Sequence, residues 1–423
     1  PVSASVEVVL LNVLVQLIVI IAAARLFGVL FRRLGQPQVC GEIAAGLILG
    51  PSFLGRIAPG VSAFVFIPSA SGIFSVISQI GLILLLFLIG LEFDFSHLRA
   101  RGRAAVAISA TGVALPFLLG LLTAEVLYPV VGTGINKLGF SLFIATALSI
   151  TAIPVLGRIM MELNIHRTPI GSLTITAAAV DDATGWTLLA MVAAVVRSEF
   201  NPLRSILMIV ETAAFTIVMF KVVRPLLKKW IQRQNERDGD NLSLATLTVI
   251  LLLVLCCAVV TNLIGIFSVF GAFVAGAILY DEVRFRANLT TRFRDFTVAF
   301  FLPIFFAYTG LRTDVGSMQG LELWLLCLLV LLAACIGKIG GCALAARWTG
   351  LSWKNAGTIG ILMNTRGLMA LIVVNLGYEL GVIPRSVFFM LVFMAVVTTY
   401  ITTPLVRRTI RETEMESLVA ASQ

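Results

Sequence analysis

The chain has 423 residues, 59% of them hydrophobic and only 13% charged, with a formal net charge of +9. A soluble domain carries about twice that share of charge. The basic residues sit in short segments between apolar blocks, not on one tail, which points away from nucleic acid and toward topology determinants.

The apolar blocks are roughly 20 residues long, enough to cross a hydrocarbon core of about 30 Å as a helix. Continuous runs such as 80–89 and 247–260 exclude the alternation of barrel strands. The fold class is therefore an all-α integral membrane protein. About 13 spans are predicted. Their cores are 6–26, 38–54, 72–91, 104–127, 138–157, 169–195, 203–223, 242–262, 264–280, 296–311, 322–346, 355–380 and 384–404. The second and ninth are short and glycine-rich. The first is too long for a signal-peptide core and runs into Arg25, so no cleavable signal is read. Six scattered cysteines without a CxxC pair indicate neither a disulfide framework nor a zinc site.

Alternate connections hold the basic residues: Arg32 and Arg33, then Arg99 to Arg103, Arg158 and Arg167, Lys228 to Arg237, Arg284 to Arg294, and Arg347 with Lys354. The positive-inside rule puts these in the cytoplasm, with the N-terminus outside and the C-terminus inside.

The two short spans repeat each other. Gly35, Val39, Gly41, Ala45, Gly46, Ile48 and Leu49 recur at constant offset as Gly265, Val269, Gly271, Ala275, Gly276, Ile278 and Leu279. The spans after them end alike, in Gly90, Leu91 and Asp94 and in Gly310, Leu311 and Asp314. The shift is seven helices, an odd number, so the halves are inverted. Inverted repeats characterise carriers that alternate access around a midplane site. They pair span 5 with span 12. Span 5 has Pro154 inside an apolar run, near Ser149 and Thr151, and span 12 has the polar interruption Asn364, Thr365, Arg366 and Gly367. Two broken, crossing helices are expected, with half-helix ends and freed carbonyls near the bilayer centre.

Asp181 and Asp182 lie in the middle of span 6, about 18 Å from its start. Carboxylates at that depth are a functional hypothesis by default. Consecutive helical positions point about 100° apart, so the two need not share one task. Lys338 is the deep cation of span 11, and its pairing with one aspartate reads as a proton switch. Asp182, with Ser149, Thr151, Asn364 and Thr365, offers oxygen ligands to an alkali cation. Pro154 and Arg366 read as structural, Arg366 bonding freed carbonyls or a carboxylate. Glu42, His97, His166, Glu92, Asp94, Asn262 and Tyr308 are weaker candidates, read as interface, loop or helix-packing groups. Walker, GxSxG and HExxH motifs are absent, so no enzyme and no cofactor is expected.

These residues carry a resemblance. The stretch 41–51, Gly90-Leu91-Glu92, 151–155, Val180-Asp181-Asp182, Lys338 and 364–368 resemble the bacterial monovalent cation:proton antiporter family of the NapA and KefC types and the plant CHX exchangers. The resemblance implies a 13-helix NhaA/NapA-like fold in a bacterial inner membrane. It implies a dimerisation part at 1–97 (spans 1–3) and 241–319 (spans 8–10). It implies a moving core at 98–199 (spans 4–6) and 320–411 (spans 11–13), a linker at 200–240 and a tail at 412–423. Asp182 matches the family's ion-binding aspartate, Asp181 a position that is Asp in electrogenic sodium exchangers, and Lys338 the lysine paired with it. A homodimer exchanging Na⁺ or K⁺ for H⁺, electrogenically, is the expected function. KefC-like members carry a nucleotide-binding domain after the membrane part, and none is expected within 412–423. Two other classes compete. A gated K⁺ efflux channel would want a filter of carbonyls or a charged ring, and the sequence has no TVGYG-like segment. An organic-anion symporter of related fold would not need the aspartate pair.

Overall fold

Long apolar stretches satisfy their backbone in lipid only as helices or closed barrels, and among the described residues the predicted spans are helical, the fifth and twelfth with a break. The computed structural model describes residues 6–67, 71–92, 102–163, 165, 168–197, 201–238, 243–279 and 282–411. Among them, ten helices are long and apolar enough to cross a membrane, and shorter apolar helices fill the other three predicted spans. His97, Asp94 and His166 lie outside the described residues, as do the side chains of Glu92 and Pro154.

We number the helices by span. They are α1 (Val6–Arg33), α2 (Gln38–Leu49), α3 (Ser71–Glu92) and α4 (Gly102–Val131). Span 5 is broken into α5a (Lys137–Ser149) and α5b (Ile153–Glu162). α6 is Pro169–Arg197. α7 runs through Pro202–Val218, a π-turn at Met219–Val223 and Arg224–Asp238. α8 (Leu244–Ile264) and α9 (Ser268–Ala277) follow. α10 joins Val283–Phe296, a π-turn at Thr297–Phe301 and Leu302–Arg312. α11 is Leu321–Trp348, span 12 divides into α12a (Trp353–Met363) and α12b (Leu368–Glu379), and α13 is Arg385–Arg411. Polar side chains set several starts: Asn136 caps α5a, Asn201 caps α7, Ser243 caps α8 and Ser352 caps α12a. α10 begins well before the apolar core at 296, because the arginine-rich segment before it is helical too. Hydropathy marks where a helix enters lipid, not where it starts.

The helices group into two compact units: Pro1–Ala24, Gly60–Phe95 and Ala190–Tyr308 in one, Arg25–Pro59, Ser96–Leu189 and Thr309–Gln423 in the other. The repeat is visible inside both. In the first, Gly90 of α3 lies against the backbone of Phe273 and Gly276 on α9. In the second, Gly310 of α10 lies against Ile43 and Gly46 on α2, the repeat counterparts of Phe273 and Gly276. A Cβ at either glycine would meet a carbonyl oxygen. Lipid gives helices no hydrophobic reason to associate, so such backbone contact is what holds them. Gly310→Ala therefore destabilises the protein by ~1–3 kcal/mol. Gly340 of α11 has open space where its Cβ would go, so Gly340→Ala stabilises by ~0.5–1 kcal/mol. Thermal unfolding in detergent measures both, and shifts of the same sign would contradict the packing argument.

The second unit holds a core of small and branched residues from six elements. It includes Ala105 and Ile108 of α4, Leu156 of α5b, Ala177 of α6, Ala345 of α11, Leu362 of α12a and Val406 of α13. The alanines let backbones come close. The two helix breaks lie within this unit.

Candidate functional site

The break in span 5 falls at Ile150, Thr151 and Ala152, ahead of Pro154. Pro154 is thus in the first turn of α5b, where a missing N–H removes no helical bond. The sequence reading put the break at Pro154 itself, and it falls just ahead of it. The break in span 12 lies between Met363 and Leu368.

The two breaks are stitched together. The Thr151 hydroxyl donates to the Met363 carbonyl at 2.9 Å, and the Ala152 N–H donates to the Thr365 carbonyl at 3.0 Å. The guanidinium of Arg366 reaches across to the carbonyls of Ala147 (2.8 Å), Ile150 (3.3 Å) and Leu148, and to Ala334 on α11 at 3.5 Å. The carbonyls of Ala147, Leu148 and Ile150 are orphans at the end of α5a. A fixed cation there opposes the negative end of the half-helix dipole. Arg366 therefore bonds freed carbonyls, one of the two structural roles read from the sequence.

α6 and α11 complete the cluster. Lys338 is fully buried and donates to both oxygens of Asp181, at 2.9 and 3.0 Å, and to the Ser149 carbonyl. Asp181 also accepts the Thr151 N–H at 2.9 Å. Its carboxylate thus has three bonds and sits at the start of the second half-helix. Asp182 differs. It is 1% exposed, and neither carboxylate oxygen has a hydrogen-bond partner among the described residues. The Oδ1 of Asn364, also 1% exposed, is likewise unpartnered. The Asn364 amide nitrogen lies 3.5 Å from the sulfur of Cys335. Ser149 and Thr365 turn their hydroxyls to local carbonyls, Ala145 and Leu362, at 2.7 Å each.

A buried polar group without a partner is destabilising, and a charged one far more so. Formal charge in the cluster balances: Asp181 and Asp182 against Lys338 and Arg366. Asp181 is committed to Lys338, and Arg366 to carbonyls, which leaves Asp182 as the carboxylate of the cluster without a hydrogen bond among the described residues.

The sequence pattern of the family described as "Sodium/hydrogen exchanger, transmembrane" matches residues 18–411. The chain belongs to the sodium/hydrogen exchanger family. Among relatives of this exchanger chain, the Na(+)/H(+) antiporter NhaS4 of Synechocystis is 41% identical over 403 residues, covering 94% of this chain and 97% of that protein. Cation/H(+) antiporter 18 of Arabidopsis thaliana is 38% identical over 393 residues, covering 93% of this chain but 48% of that protein. The exchanger chain thus spans about half the length of the plant relatives it matches. Its fold is that of the sodium proton antiporter MjNhaP1 from Methanocaldococcus jannaschii, with a TM-score of 0.69 over 97% of this chain and 99% of that one, at 16% identity.

Three features escaped the sequence reading. Glu42 is only 3% exposed, with Gln38 donating to it at 2.9 Å, where an interfacial position was expected. The spacing of Gln38 and Glu42, one helical turn, was the available signal. Asn375 and Thr309 are buried and bonded to each other at 3.0 Å, and Arg312 reaches Asn375 at 3.4 Å and Glu379 at 3.1 Å. Thr399 on α13 bonds the α12 break. Asn262, a weaker candidate, bonds Ser268 at 2.9 Å and so links α8 to α9.

Proposed function

We propose that this multi-pass membrane protein is a secondary transporter exchanging Na⁺ or K⁺ for H⁺ by alternating access, with Asp182 as the cation ligand and proton carrier. The observation that carries the reading is the buried, unpartnered Asp182 carboxylate beside an Asp181 that Lys338 neutralises. Asn364, Thr151, Ser149 and Thr365 supply oxygens around the two breaks, and oxygen donors suit alkali ions. The names of the relatives support the same chemistry. The test is a proteoliposome assay in which Na⁺, K⁺ or Li⁺ is added against a pH gradient. Dissipation by none of the three would sink the proposal.

The exchange is electrogenic in this reading. With Asp181, Asp182 and Lys338 ionised, that trio carries one net negative charge, which a bound cation neutralises. A second proton, taken on the return by Asp181, or by Lys338 where Lys338 gives up its proton as the cation binds, makes two protons per cation. Moving one extra charge through 100 mV is worth about 2.3 kcal/mol, so a membrane potential drives exchange. Na⁺ exchange in proteoliposomes at zero pH gradient, with the potential set by valinomycin and K⁺, should therefore follow the potential. Exchange that ignores it would reduce Lys338 to a structural counter-ion.

The same reading places the protein in a bacterial inner membrane with its N-terminus outside. It makes 1–97 and 241–319 a dimerising scaffold, and 98–199 and 320–411 the moving core. Native mass spectrometry of an active sample showing monomers alone would contradict the homodimer.

A further inference from the structure

Thr399 lies in α13, 2% exposed, and was not singled out by its sequence context. Its hydroxyl accepts the N–H of Arg366 at 3.2 Å and donates to the Arg366 carbonyl. One oxygen thus satisfies both backbone groups of a residue in the α12 break. A hydroxyl can do this because it is donor and acceptor at once, and valine, of the same shape, is neither.

The α5 break has a matching bond. There the N–H of Thr151 is taken by Asp181 of α6. The seven-helix shift that relates α5 to α12 also relates α6 to α13. In each half, then, the helix after the broken one reaches back and holds the N–H of a break residue. We propose that Thr399 is the uncharged counterpart of Asp181, a positioning residue that sets the α12 break and, through Arg366, the end of α5a. The route is short. Thr399 fixes the Arg366 backbone, and the Arg366 side chain holds the carbonyls of Ala147, Leu148 and Ile150. The next residues, Ser149 and Thr151, bond Lys338 and Asp181. The inference deepens the exchange reading and rests on it.

The experiment compares Thr399→Val and Thr399→Ser with the unsubstituted protein. It reads cation KM in exchange and, independently of transport, the cation concentration giving half-maximal thermal stabilisation. Thr399→Val should raise both roughly tenfold, the size expected when a buried peptide group loses its partners. Thr399→Ser should restore both. If Thr399→Val does not fold, Thr399→Cys, with a weak donor of similar size, carries the same expectation. Unchanged values in the valine or cysteine variant would overturn the proposal, as would a serine variant equally impaired. Failure of the unsubstituted protein to exchange would strike the exchange reading, while the stabilisation readout would still decide this one.

Discussion

Asp182→Asn should abolish cation-coupled proton movement, at least a hundredfold, while the protein still folds. Asparagine keeps the size and one carbonyl oxygen, but in the proposed exchange it removes the charge that compensates a bound alkali ion and the group that takes the proton. Stability should not fall, because the substitution removes a buried charge that has no partner. The expected pattern is therefore unusual for a buried substitution: a Tm equal to or above that of the unsubstituted protein, with no exchange. Proteoliposome exchange and thermal unfolding on the same preparation check it. Residual transport within tenfold of normal would remove Asp182 from the mechanism. A sharp loss of stability would mean that its carboxylate is held by bonds the structure does not show.

Lys338→Met should be the most destabilising single change in the cluster, by ~3–5 kcal/mol, because it leaves Asp181 charged, buried and without its cation. The Ser149 carbonyl loses its donor as well. Adding Asp181→Asn should recover much of that stability, since the uncompensated charge goes while the amide oxygen still accepts from Thr151. The pair is thus coupled, and a double-substitution cycle measures the coupling. The double variant also tests electrogenicity directly. With Asp182 alone able to take a proton, one proton moves against one cation, and exchange should ignore an imposed potential. Additive effects of the two substitutions would deny that the bridge is a unit. A double variant that still follows the potential would place the second proton elsewhere.

Much of this arrangement was legible in the sequence. Span number, the short glycine-rich pair and the inverted repeat follow from periodicity and matched spacing, because lipid leaves the backbone few choices. Gly90 and Gly310 were readable as counterparts, and the structure shows why glycine stands at each. The location of both breaks was readable to within a few residues. What the residues alone do not give is direction. Asp181 and Asp182 are neighbours in sequence; the family resemblance implies that Lys338 pairs with the first, and the packing of α11 against the α5 break is what makes that contact. Thr399 stands among the threonines of α13, which reads like any polar relief in an apolar helix. Its role appears only when the Arg366 backbone is beside it. Asn375 and Glu42 share that limit: a single polar residue in a span has no periodicity to announce its partner.

The stitching of the two breaks also has a history in each molecule's synthesis. Lys338 comes 157 residues after Asp181 and 189 after Ser149. At about 5–20 residues per second, Asp181 waits roughly 8–30 s for its cation. The first half of the nascent chain therefore enters the bilayer with both acids, and the second half brings both bases, Lys338 and Arg366. Until they meet, the broken α5 has no internal partner for its end carbonyls and must stay wet or lean on the insertion machinery. Docking of α11, α12 and α13 then closes the site, drawn by opposite charge and completed when Thr399 takes the Arg366 backbone. A pulse-chase experiment should find a fragment ending at 238 short-lived and lengthened in half-life by co-expressed 243–423. A fragment equally long-lived alone would show that the first half completes itself.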